Sequence, residues 1–320
     1  MTMTDAKNRI ARPRVPIRGR GASENVRNRF ERLDYVIDDD YTNDDEGSAR
    51  RTQYFRDESK SIIAYNDSPD VGFGASINPY RGCEHGCIYC YARPTHEYLG
   101  MSAGLDFESK IMVKEDAPDL LRRELAAKKW EPQALGLSGV TDAYQPIERK
   151  LQLTRRCLQV LAEFRNPAAI ITKNRLVARD ADVLAELAKY NAAAVFMSVT
   201  TLDLELNRIL EPRTSSPAQR LDTIRELSNA GVPVGVMVAP VIPGLTDHEM
   251  ANIMEAASEA GARSAGFVAL RLPYAVAPLF ETWLEEHFPQ RKDKILNRIR
   301  SMRGGRLYDA KFGERMRGQG

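Results

Sequence analysis

Cysteine is scarce: the chain has four in 320 residues, and three of them fall within eight positions. The first thirty residues, MTMTDAKNRIARPRVPIRGRGASENVRNRF, lack the apolar core of a signal peptide. Clustered cysteines in such a context read as metal-binding or catalytic rather than as a disulfide framework. No apolar run approaches the roughly 20 residues of a membrane span. These absences predict a cytoplasmic protein without membrane association, in a reducing compartment that suits an oxygen-sensitive site.

Hydrophobic residues make up 43% and charged residues 28%, as in a soluble globular protein, and the length allows one barrel-sized domain with tails. The net charge of +2 hides a segregation, since residues 1–30 carry +6, residues 31–70 carry −7 and residues 291–320 carry +7. Basic ends can meet the phosphates of a nucleic acid. A tail docked on the acidic stretch explains them as well.

The chemistry concentrates in Asn78-Pro79-Tyr80-Arg81-Gly82-Cys83-Glu84-His85-Gly86-Cys87-Ile88-Tyr89-Cys90-Tyr91. The spacing CxxxCxxC, with glycines at 82 and 86 where a wrapping loop needs unusual backbone angles, describes a ligand loop. Three thiolates can hold three irons of a cubane cluster and leave the fourth open for chemistry. A structural zinc site of Cys83, Cys87 and Cys90 with His85 or His96 is the competing reading. The spacing, with Tyr89 before the third cysteine, resembles the signature of the radical S-adenosylmethionine (radical SAM) superfamily. The resemblance implies a 4Fe–4S cluster on Cys83, Cys87 and Cys90, with S-adenosylmethionine chelated at the open iron and Tyr89 near its adenine. Reductive cleavage to a 5′-deoxyadenosyl radical is the implied activity.

Residues 1–50 lack hydrophobic periodicity, and with Asp38-Asp39-Asp40 and Asp44-Asp45-Glu46 they make 1–60 read as a charged, disordered or loosely held extension. Residues 61–290 alternate short apolar runs with amphipathic stretches, and 291–320 form a basic C-terminal extension. Strands are predicted at 73–79, 134–139, 168–172, 193–199, 232–239 and 265–270. The helices between them are predicted at 116–129, 147–164, 181–189, 204–210, 218–229 and 247–260, the last capped by Thr246, with 277–287 after the final strand. Six alternating units predict a parallel α/β sheet, a partial (β/α)6 TIM-type barrel with its site at the C-terminal strand ends.

Those ends are polar. The aminoacyl end of S-adenosylmethionine is a zwitterion, needing a carboxylate for its ammonium and a cation or hydroxyl for its carboxylate. Asp142 or Thr141 can serve the first, Lys173 with Ser198 the second, and Tyr89 with Val241 and Ile242 can form an adenine slot. Substrate-facing candidates are Tyr144, Gln145, Glu148, His96, Glu97, Glu211, Arg213, Arg271 and Tyr274.

The stretches Asn78–Cys83, Thr141–Glu148, Thr172-Lys173-Asn174, Glu211-Pro212-Arg213 and Val238–Gly244 resemble the radical SAM branch related to spore photoproduct lyase. That branch implies cluster ligation by Cys83, Cys87 and Cys90 and cofactor contacts at Tyr89, Thr141, Asp142, Lys173, Ser198, Val241 and Ile242; Tyr144, Glu211 and Arg213, read from the rim itself, are the further catalytic candidates. It also implies an electron donor such as flavodoxin or ferredoxin, and nucleic acid or nucleobase as the favoured substrate. One departure stands out. The lyase has a hydrogen-donating cysteine after its second strand, where this chain has Ser138, Gly139 and Val140, so photoproduct repair is not carried over. The fourth cysteine, Cys157, sits among Leu153, Leu158, Leu161 and Phe164 and reads as a buried structural thiol. With it alone to spare, no second four-cysteine cluster can form. The rival reading is a non-catalytic zinc- or cluster-bearing nucleic-acid-binding protein.

Overall fold

The structure is a computed structural model that describes residues 16–30, 51–67 and 73–308. The acidic runs at 38–40 and 44–46 and the last residues of the basic C-terminus lie outside the described residues. The strands run β1 Gln53–Arg56, β2 Ile63–Tyr65, β3 Ala75–Ile77, β4 Tyr80–Arg81, β5 Lys110–Val113, β6 Leu135–Leu137, β7 Ala168–Thr172, β8 Ala193–Ser198, β9 Val234–Val241 and β10 Ser264–Ala269. The helices are α1 Leu105–Ser109, α2 Ala117–Leu125, α3 Glu148–Leu151, α4 Leu153–Phe164, α5 Ala181–Ala188, α6 Leu204–Leu210, α7 Pro217–Asn229, α8 Met250–Glu259, α9 Val276–His287 and α10 Lys292–Ser301.

All six strands expected from the sequence are present. They lie side by side in chain order from β3 through β6, β7, β8 and β9 to β10, every pair parallel. β2 closes the β3 edge antiparallel. This is the partial barrel, with all six C-terminal strand ends on one rim. The core lies between the sheet and α2, α4, α5, α7 and α8, where Ile77, Leu137, Ile170, Val195 and Val236 meet Leu121, Leu161, Leu184, Ile224 and Ile253. Cys157 belongs to this core and is wholly buried, as its helix pattern implies. A second apolar cluster joins Cys87, Ile88 and Tyr89 to Leu210, Ile242, Leu270, α9 and α10.

Several local expectations are corrected. The helix expected over 147–164 breaks at Gln152, which adopts a left-handed φ of 53°. The Glu148 carboxylate draws in the Thr154 amide and the Tyr80 hydroxyl, and this capture ends one helix and starts the next. Thr246 does not cap the helix after β9. Its hydroxyl accepts from the Ile242 amide instead, and α8 begins at Met250 after a short turn. A small sheet of β1, β5 and β4 was not expected. Parts of both extensions are docked on the body. Ala22 joins the second apolar cluster, and α10 buries Ile295, Leu296 and Ile299 there.

Candidate radical site at the strand ends

The cysteine loop follows β3 and β4 and turns through Gly82 at φ 80° and Gly86 at φ 68°, angles that favour glycine. Cys83 and Cys87 are buried and Cys90 is partly exposed. Burial pushes all three thiols up, and for Cys83 the charges of Asp142, Cys87 and Cys90 add to it. Three thiols in so dry a place become thiolates only with a cationic metal beside them, a donor set that suits the irons of a cluster as well as zinc. Among the described residues no three His, Cys, Asp or Glu side chains converge as ligands of one ion. Cysteines on separate corners of a cubane do not have to. The imidazole of His85 is engaged at both nitrogens, by Asp142 at 3.3 Å and Asn174 at 3.1 Å, and His96 Nε2 is on the Lys110 carbonyl at 2.9 Å. Neither completes a Cys3His zinc site as placed.

The loop is braced from the rim of β6. The Thr141 hydroxyl donates to the Gly82 carbonyl at 2.6 Å, and Gln145 spans that carbonyl, at 3.2 Å, and the Glu84 amide, at 3.0 Å. Glu84 in turn accepts from Tyr54, Arg213 and the Ile147 amide. Asp142 accepts from the Thr172 hydroxyl and the Lys173 and Tyr144 amides at 2.8–2.9 Å, and from His85. Burial alone would raise its carboxyl, but His85 and these donors hold it below its ordinary value. Every lone pair of Asp142 is thus engaged, and it is not free to take the ammonium of a cofactor.

The ends of β7, β8 and β9 converge on Lys173. Its ammonium donates to Ser198 Oγ at 2.8 Å, Thr200 Oγ1 at 3.2 Å and the Ala239 carbonyl at 2.9 Å, and stands 5.6 Å from the centre of the Tyr89 ring. Beneath it lies Glu211, wholly buried, which pairs with Lys173 at 3.3 Å and binds Arg220, Tyr89, Thr200 and Asn207. Burial would raise the Glu211 carboxyl, yet Arg220 and Lys173 hold it well below the usual carboxylate range. Lys173 also lies close enough to Cys87 and Cys90 to favour their thiolates. Lys173 and Ser198 thus lie on the side of the loop that carries Cys87, Tyr89 and Cys90.

Several residues read as substrate-facing are not. Tyr144 is fully buried with its hydroxyl on Asp180, because its ring fills the core behind β6. Glu148 is buried against Tyr80 and Arg179, Gln145 serves the loop, and Glu211 lies under Tyr89 rather than at the mouth. Glu211 and Arg213 do not pair with each other, since Arg213 reaches Glu84 at 3.1 Å. His96 and Glu97 are buried behind the loop. Tyr274 and Tyr91 are exposed, and Arg271 lies over the Tyr91 ring at 5.2 Å. At the adenine slot, the Ile242 amide is taken by Thr246 and the Val241 carbonyl by the Leu270 amide. Sequence reasoning missed Thr200, Arg220, Arg93 and Glu108. Arg93, three residues after the last cysteine of the loop, was the one with a local cue.

A family model described as the radical SAM superfamily matches residues 77–257. An uncharacterised protein of Mycobacterium bovis is 36% identical over 232 residues, covering 71% of this chain and 68% of its own length. One of Methanocaldococcus jannaschii is 32% identical over 173 residues, covering 54% of this chain and 62% of its own. Among solved structures, spore photoproduct lyase complexed with dinucleoside spore photoproduct superposes with a TM-score of 0.52 at 17% identity, over 74% of this chain and 66% of the lyase. A variant of that lyase with bound AdoMet and the same dinucleoside gives 0.54. At such identity the likeness is one of fold, and it spans just under two thirds of the lyase. From the family match and the shared barrel, the chain belongs to the radical SAM superfamily, as a SAM-cleaving radical enzyme whose cofactors are a 4Fe–4S cluster and S-adenosylmethionine.

Proposed function

We propose that Cys83, Cys87 and Cys90 hold the cluster, and that Lys173 and Ser198 receive the carboxylate of S-adenosylmethionine beside it. The carrying observation is the position of the Lys173 ammonium, at three strand ends and over the ring of the residue before Cys90. The ammonium donates to three neutral oxygens with the Glu211 carboxylate at 3.3 Å behind it, and a ligand carboxylate would displace one of the neutral acceptors because charge-assisted hydrogen bonds are the stronger. When bound, cluster and cofactor supply a 5′-deoxyadenosyl radical that abstracts hydrogen from the substrate. Tyr89, Ile242, Leu270 and Leu272 belong to one buried apolar cluster beside this site, which would help to keep water from it.

A nucleobase-containing substrate, nucleic acid included, fits best with the rim. Tyr91 under Arg271, and Tyr98 and Tyr274 around Arg29 at 5.3 and 4.0 Å, offer exposed rings and guanidinium planes on which bases stack. Radical SAM enzymes generally need a reducing partner; a flavodoxin or ferredoxin meets that need. No helix among the described residues is long and apolar enough to cross a membrane.

The test is anaerobic reconstitution. The chain should bind about four irons and form 5′-deoxyadenosine with dithionite and S-adenosylmethionine. Cys83→Ala should abolish both, and Lys173→Ala should keep the irons while lowering nucleoside formation at sub-saturating S-adenosylmethionine. Stoichiometric zinc without nucleoside product would instead support the non-catalytic rival.

A further inference from the structure

We infer that residues 16–30, with the buried pair Arg93 and Glu108, belong to the cluster site, as a strap that fixes the back of the cysteine loop and shields it from solvent. The inference rests on the reading that Cys83, Cys87 and Cys90 hold the cluster.

Glu108 is wholly buried at the end of α1. Its carboxylate accepts the Gly21 amide at 3.0 Å and the Ala22 amide at 2.9 Å, and pairs with Arg93 at 2.5 Å. Arg93, also fully buried, donates onward to the Cys87 carbonyl at 2.8 and 3.0 Å and to the Gly86 carbonyl at 3.3 Å. One continuous run of charge-assisted bonds therefore joins the strap to the backbone of a cluster ligand. The contact is tight at two independent points. A Cβ on Gly21 would lie 1.8 Å from the Gly86 carbonyl oxygen, and one on Gly104 would lie 2.2 Å from that of Glu24. At the far end, Asn28 donates to the Glu97 and Met101 carbonyls and Arg29 pairs with Glu97 at 3.3 Å. Between these anchors Ala22 packs with Cys87, Ile88 and Tyr89.

Two consequences follow. Groups hydrogen-bonded to a metal ligand's own neighbours govern how firmly the metal is held. Net charge and solvent exposure near a cluster also set its reduction potential. With Glu108 neutralised, the Arg93 cation acts uncompensated on the loop and makes reduction easier. The core of the seven-stranded sheet contains no residue of the strap, so the packing of that sheet does not depend on it.

The experiment uses the full chain, reconstituted anaerobically, with iron release to a chelator and the cluster's midpoint potential as readouts. Gly21→Ala and Gly104→Ala, which act from opposite sides of the contact, should each release iron about tenfold faster than wild type. The thermal transition of the metal-free body should persist in both. Glu108→Gln should shift the potential upward. Release within about twofold of wild type in both glycine variants, or a Glu108→Gln potential unmoved or lowered, overturns the inference. The cluster reading is judged separately. If wild type binds about four irons and Cys83→Ala does not, that reading stands and the variants decide on the strap alone; a wild-type chain taking up zinc instead overturns both.

Discussion

Replacing Glu211 by glutamine removes a negative charge from a place where it is fully enclosed by Arg220, Lys173, Thr200, Asn207 and Tyr89. Arg220 is itself 1% exposed at its side chain, so the substitution strands a guanidinium away from water. Breaking a buried ion pair from one side costs about 3–5 kcal/mol. Glutamine keeps the shape and one acceptor oxygen, which places the expectation near the lower end, about 3 kcal/mol. At roughly 2–4 °C per kcal/mol for a chain of this size class, the melting temperature of the metal-free protein should fall by about 6–12 °C. Adding Arg220→Met should recover much of the loss, because removing both partners leaves no uncompensated charge; the double-mutant cycle should show coupling of at least about 2 kcal/mol. Since the folded carboxyl titrates below its ordinary 4.5, its contribution is whole above that value and fades only as pH falls toward the folded one. The difference between wild type and Glu211→Gln should therefore stay constant from neutral pH down to about 5 and shrink below. A loss under about 0.5 kcal/mol, or strict additivity in the cycle, would refute the account of this network.

Three further outcomes can be checked with simple assays. Lys173→Ala should weaken S-adenosylmethionine binding by about 10- to 100-fold, the loss of one charge-assisted contact, with iron content unchanged by metal analysis. Cys157→Ala should lower stability by about 1–2 kcal/mol in a denaturant titration and leave iron content and deoxyadenosine formation as in wild type. Burial lowers the His96 pKa, so the unfolded chain takes up that proton first as pH falls. Stability should be full above its ordinary 6.5 and decline below it, and His96→Gln, which keeps a donor toward the Lys110 carbonyl, should flatten that part of the profile.

What was legible in the sequence was local or strictly periodic. The cysteine loop announces itself through spacing and through glycines that the fold does place at positive φ. Lys173 and Ser198 were legible because a parallel barrel puts successive strand ends on one rim, so two residues 25 positions apart could be expected to meet, as they do. The strap was not legible. Gly21 and Glu108 lie 87 residues apart and belong to no shared periodic element, and the glycine is there for closeness, which leaves no hydrophobic pattern to read. The break at Gln152 was hidden for a similar reason, since it depends on Glu148 capturing the hydroxyl of the distant Tyr80. Polarity at the rim was read correctly as polarity but not as to its direction.

That direction has a physical cause. The cysteine loop is irregular backbone, and fixing each of its residues costs on the order of 1–2 kcal/mol of conformational entropy with few ladder hydrogen bonds in return. The protein meets this cost with charge from three sides: Glu108 and Arg93 behind, Asp142 with His85 and Asn174 on the β7 side, and Glu84 with Arg213 and Tyr54 laterally. Each brace turns a polar rim residue inward, which is why Thr141, Asp142, Gln145 and Arg213 contact the loop. Few groups are then left to face outward. Tyr91, Arg271 and Tyr274, with Arg29 of the strap, present planar and cationic surface at the rim, whereas the two carboxylates of the β6 loop, Asp142 and Glu148, are both engaged inward; on the function proposed above, a substrate would meet the planar and cationic groups first.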